Sequence, residues 1–177
     1  MNRRLLIKNI LLVSAGASLL PACMQDKSKS SFLLKNITLN GDDEQMLADL
    51  TAAIIPSTDG VPGAGELSSH LFVMMMIDEC TKKEDQQKFT NGMSSFESLV
   101  HKKYNTTFGK CSPEQKKALL TDIEQKNNVP GDVQDFYSMV KRLTIQSFVT
   151  SQYFLTKVRV YELVPGRYHG CVPVKTA

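Results

Sequence analysis

Any chemistry in this chain of 177 residues would have to come from its four cysteines, its three histidines or a recognisable loop motif. His70, His101 and His169 lie far apart in sequence, and none falls in a metal-ligand spacing such as H-E-x-x-H. His70 sits beside an apolar helical stretch, the usual place for a structural histidine. His101 precedes two lysines and reads as solvated. His169 shares only a weak His-x-Cys pattern with Cys171. No G-x-S-x-G elbow, phosphate-binding G-x-x-x-x-G-K-[ST] or G-x-G-x-x-G sequence occurs. C-x-x-C is missing too, which leaves haem attachment and dithiol redox work unsupported. Asp78 and Glu79 are adjacent, so a helix would point them to different sides and make them a poor acid/base pair. Gly63-Ala64-Gly65, at an expected helix start, could offer free N–H groups to an anion, although such glycines ordinarily only turn the chain. No catalytic, cofactor-binding or metal-binding residue is therefore expected.

The first cysteine carries a different kind of chemistry. Leu20-Pro21-Ala22-Cys23 resembles a bacterial lipobox, in which a small residue permits cleavage and the new N-terminal Cys23 receives acyl chains. Several chains give stable anchoring, because each buried CH₂ contributes about 0.8 kcal/mol. Ahead of it, Ile10 to Leu20 is apolar but shorter than the roughly 18 residues that span a bilayer, so it reads as the core of a signal peptide. Arg3, Arg4 and Lys8 resemble a twin-arginine export motif. Residues 1–22 are expected to be this signal, and 23–41 the lipidated Cys and a flexible tether, polar and Ser/Lys-rich from Gln25 to Ser31. The expected location is periplasmic and lipid-anchored to a membrane.

The same three basic residues account for the formal net charge of +3, leaving 18 basic against 18 acidic residues in the rest of the chain. That balance, with no long Lys/Arg run, argues against nucleic-acid binding, which needs basic surface. Past Cys23 three cysteines remain, in a compartment that permits disulfides. An odd count leaves one over. A Cys80–Cys171 bridge would close a loop of about ninety residues and contribute about 4 kcal/mol in the chain-entropy model. Three free thiols are the alternative, and the sequence leaves the choice open.

The elements that must position these residues are helices. Met46, Leu47, Leu50, Ala53 and Ile54 share one face of a helix from Asp42 to Ile55, ended by Pro56. Ser57 to Gly65 is a loop. A second helix is expected from Ala64 to Thr81, apolar on most sides, and a third from Lys83 to Tyr104 with Phe89, Met93, Phe96 and Val100 in register. Ser112-Pro113-Glu114-Gln115 opens a fourth with a capping box. Pro130-Gly131-Asp132 opens a fifth, whose face runs from Val133 through Phe136 and Val140 to Phe148. Val158 to Val164 is β-branched and reads as extended, before a turn-rich close. The expected fold of residues 42–177 is all-α, a compact bundle of about five helices with an extended C-terminal tail.

Two segments together resemble the gluconate 2-dehydrogenase subunit 3 family. Ile54-Ile55-Pro56-Ser57-Thr58-Asp59 with Pro62-Gly63-Ala64 is similar to that family's opening motif, and the helix after it ends in an acidic residue and Cys, as Asp78-Glu79-Cys80 does. The closing motif is matched by Tyr161, Val164-Pro165-Gly166, Tyr168, Gly170-Cys171 and Pro173. Cys111 belongs to neither motif, which marks it as the unpaired thiol. The resemblance implies a small accessory subunit, without catalytic residues or cofactor of its own, of a membrane-bound dehydrogenase. The implied partner is a large FAD-containing flavoprotein of the glucose-methanol-choline type, with a cytochrome c subunit or another acceptor taking the electrons. A route that exports folded proteins suits a partner whose flavin is inserted in the cytoplasm. A stand-alone periplasmic binding or envelope-structural lipoprotein is the alternative.

Overall fold

The computed structural model describes residues 30–31, 33–159, 166 and 171. Helix α1 (Gly41–Ile54), α2 (Ser69–Cys80), α3 (Lys83–Tyr104), α4 (Pro113–Glu124) and α5 (Gly131–Val149) make the bundle, with a 3₁₀ turn at Phe108–Lys110 and a π-helical turn at Phe154–Val158. The all-α expectation of about five helices holds. Helix α5 packs along both α3 and α2. At its contact with α3, the rings of Phe89 and Phe136 lie 5.1 Å apart and those of Phe96 and Phe136 5.7 Å apart, with Phe108 of the 3₁₀ turn 5.2 Å from Phe96. Phe89, Phe96 and Phe136 are fully buried, each worth about 1.5–3 kcal/mol in area removed from water. Gly92 lets these helices meet, since a Cβ there would lie 2.6 Å from that of Phe136.

The helix ends follow their sequence signals where those signals are local. Ser112 accepts from the Gln115 N–H at 3.2 Å and Gln115 Oε1 accepts from the Ser112 N–H at 2.9 Å, the expected capping box. Helix α1 has a second such box, unexpected from the sequence: Asn40 caps Asp42 and Asp43, and the Asp43 carboxylate accepts from the Asn40 N–H at 2.8 Å.

Three expectations need correction. Helix α2 starts at Ser69 instead of Ala64. The chain from Gly63 to Ser69 closes turns instead, with Ser69 N–H donating to the Ala64 carbonyl at 2.9 Å and Ser68 left-handed at φ 51°. Val158 closes the π-helical turn, so the extended reading fails there. Residues 160–165 lie outside the described residues. A flexible tether reaching to residue 41 is not what the described residues form: Ile37 and Leu39 are buried in the core.

Candidate functional site

Pro56 to Val61 are six consecutive exposed residues, yet their backbone is tightly built. Thr58 and Val61 exchange both backbone hydrogen bonds, at 2.9 and 3.1 Å, around a turn with Gly60 at φ 77°. This is the conformation that favours glycine at the third turn position. Gly63 is packed where no side chain fits: a Cβ would lie 2.5 Å from the Ser57 nitrogen and 2.7 Å from the Ile55 oxygen. The Gly63 N–H donates to Ser57 Oγ at 3.2 Å, Ser57 Oγ donates to Glu66 at 2.6 Å, and the Ala64 N–H donates to the Ile55 carbonyl at 2.9 Å. The Tyr153 hydroxyl donates to the Gly60 carbonyl at 3.2 Å. The N–H groups of Gly63 and Ala64 are thus spent inside the loop, which removes them from the anion-binding reading. The loop holds Thr58, Asp59 and Val61 outward on a rigid frame, the usual arrangement of a recognition loop.

Two clefts lie along α1, and the second reaches this loop at Pro56. One, of about 770 Å³, lies between α1, α3 and the 3₁₀ turn and is lined by Asp42, Gln45, Asp49, Glu97, His101 and Lys110 among others. Burial, with Asp43 and Asp42 repelling its charge, pushes the Glu97 carboxyl above the ordinary range. The second, of about 690 Å³, runs from Asp49 to Pro56 over Ala52, Ala53 and Leu120, with Lys116 and Lys117 lining it from α4. On its wall Glu124 accepts from both the Tyr137 hydroxyl and Lys141 at 2.6 Å. Burial, then this carboxylate, pushes the Tyr137 phenol well up.

The other sequence candidates have structural roles. Asp78 is buried, and its carboxylate accepts backbone N–H groups from Lys35 at 2.9 Å, Asn36 at 2.7 Å and Ile37 at 3.0 Å. Burial alone would push this carboxyl up, but the three donors hold it below its ordinary range. The carbonyls that end α2 are capped from outside: Asn36 and Gln86 side chains donate to the Asp78 carbonyl at 2.8 Å, and Gln86 also to that of Ile77 at 3.0 Å. Lys35 meets Glu79 at 2.8 Å on the surface. The acidic end of α2 is a latch for the incoming chain. His70 is half-buried, 3.9 Å from Glu44, and burial holds its imidazole below the ordinary value. Met74 is buried in the core, whereas Met75 is exposed.

Pro56, Thr58 and Asp59 are exposed, Pro62 is half-buried and Gly63 is buried. Cys80 and Cys171 are exposed free thiols, and Cys111 is a buried one. Gly166 is exposed. Arg3, Arg4, Lys8, Cys23, Pro165, Tyr168 and Gly170 lie outside the described residues. Among the described residues, no group of three or more His, Cys, Asp or Glu is placed to hold a metal ion, and no helix is long and apolar enough to cross a membrane.

The described residues form a helical bundle with an exposed, internally braced loop beside a cleft. The family model for gluconate 2-dehydrogenase subunit 3 matches residues 41–166, and the chain belongs to that family. Its members are subunits of a multi-subunit dehydrogenase, which implies a catalytic partner. No curated protein and no solved structure matches the chain.

Proposed function

We propose that this chain is the accessory subunit that docks on a large glucose-methanol-choline-type flavoprotein, stabilises it, and brings it to the membrane. The observation that carries this reading is the loop Pro56–Gly63. Its backbone is fixed by contacts that leave Thr58, Asp59 and Val61 exposed, within the span of the family match. The FAD belongs to the partner, and a cytochrome c subunit or another acceptor takes its electrons. The twin-arginine pattern at Arg3-Arg4 supports co-export of the folded pair, and the lipobox-like Cys23 supports a tether on the periplasmic side. In that oxidising compartment the exposed thiols of Cys80 and Cys171 are open to pairing.

Detergent extraction followed by affinity purification of the full chain tests this. The expected result is a co-purifying large subunit with a flavin absorbance spectrum, and an acylated Cys23 by mass spectrometry. A chain that purifies alone, free of flavin, would instead be a stand-alone binding or envelope lipoprotein. Deleting residues 1–22 is expected to leave the partner in the cytoplasm. A partner still exported and membrane-bound would end the escort role.

A further inference from the structure

The outer face of α1 borders two clefts, with the 3₁₀ turn packed close to it at Asp49. Asp42, Gln45, Asp49, Ala52 and Pro56 recur at helical spacing and line the two clefts, which meet at Asp49. From Asp42 to Pro56 this face runs about 21 Å at 1.5 Å per residue. It is polar at both ends and small in the middle. At the α1 N-terminal end, Asp42 and Glu97 line the cleft, and Asp43 stands close enough to repel Glu97. Lys110 lies in the same cleft, but among the described residues none of these three carboxylates has a cation within 4 Å. At the other end Lys141 is held by Glu124, while Lys116 and Lys117 have no carboxylate partner among the described residues. Lys116 rests its ammonium over the Phe108 ring at 5.2 Å. Between the ends, Ala52 and Ala53 leave room for a backbone to come close.

Asp42 and Asp43 are favoured by the positive end of α1, but Glu97, crowded by them without a counter-ion in the cleft, is a cost to the fold, and such costs collect at sites that serve a partner. Resting on the function proposed above, we infer that this groove receives an amphipathic segment of the flavoprotein subunit, basic where it meets Asp42 and Glu97 and acidic where it meets Lys116 and Lys117. Opposed charges at the two ends fix the direction of the segment as well as its affinity. The groove ends at Pro56, where the exposed loop begins, so loop and groove form one continuous surface.

The test uses the full chain co-expressed with the flavoprotein subunit. Two groove variants reverse or add charge at opposite ends, K116E/K117E and Q45K/E97K. A control, K82E/K83E, repeats the Lys-to-Glu change of the first variant at the start of α3. Each is checked for an unchanged melting temperature, and binding is followed by flavin absorbance in the purified complex. The expected result is that each groove variant weakens association about tenfold or more at low salt while the control does not. Folded groove variants that bind like the control would overturn the groove. A wild-type chain that brings down no flavin would overturn the functional reading itself.

Discussion

Ile37 donates its backbone N–H to Asp78 Oδ1 at 3.0 Å, a bond that joins the chain leading into the bundle to the last turn of α2. Lys35 and Asn36 donate to the same carboxylate. Replacing Asp78 by Ala leaves three N–H groups without their acceptor, that of Ile37 in a buried site and those of Lys35 and Asn36 nearer the surface. Hydrogen bonds to a charged group contribute about 1.5–3 kcal/mol each way they are measured, so the variant is expected to lose about 2–4 kcal/mol. Denaturant unfolding checks the loss, and hydrogen exchange should show the Lys35 to Ile37 amides losing protection first. Unchanged protection at those amides would refute the latch.

Acid should weaken the fold in two stages. His70 has an imidazole held below its ordinary value by burial, which outweighs the pull of Glu44. The unfolded chain therefore takes up its proton first, and stability falls as pH drops through the unfolded value of about 6.5. Asp78 acts lower. Its folded carboxyl is depressed, so its contribution is complete above the ordinary carboxylate range and is lost as pH falls through the folded value. Melting temperatures measured from pH 8 to pH 3 should show both declines, and His70→Phe should remove only the first.

Glu97 has the opposite sign. Its carboxyl is raised by burial and by Asp43 and Asp42, so ionising it costs the folded state. Glu97→Gln is expected to stabilise the protein at pH 7 by a small amount, below about 1 kcal/mol for a group this exposed. The gain should vanish below the carboxylate range, where wild-type Glu97 is protonated as well. A variant less stable than wild type at neutral pH would contradict this.

Gly63→Ala would drive a methyl group into the backbone of Ile55 to Ser57. No rotamer relieves a clash with main chain, and overpacking of this kind costs about 1–3 kcal/mol or more. The melting temperature should fall. Partner binding should fall further than stability explains, because the displaced backbone carries Thr58 and Asp59.

Cys111 is buried, and burial raises its thiol despite Lys116 nearby. In the reduced native protein it should alkylate far more slowly than the exposed Cys80. Peptide mapping without reduction should find the proposed Cys80–Cys171 bridge in material from the periplasm and never a bridge to Cys111.

What was legible in the sequence was what is local or periodic. The faces of α3 and α5 follow from Phe89, Phe96, Phe136 and Val140 at helical spacing, and Ser112 to Gln115 announces the start of α4 within four residues. The start of α2 was misplaced because the apolar run overrode Gly63 and Gly65, whose turns stop the helix from reaching back. Asn40 carries no clear cap signature in the sequence because its reciprocal partner is Asp43, where a capping box usually has Glu or Gln. The partners of Asp78 are backbone groups 41 to 43 residues earlier, and no side-chain pattern reports a backbone donor. The clefts are equally silent, since each is the space left between three elements.

Tyr153 rests its hydroxyl on the carbonyl of Gly60, across 93 residues of chain. A protease that trimmed the protein back to the end of α5 would leave every bundle helix in place while removing one of the few props under that turn. Damage at the far end would therefore register as blurred recognition at the front, long before it registered as unfolding.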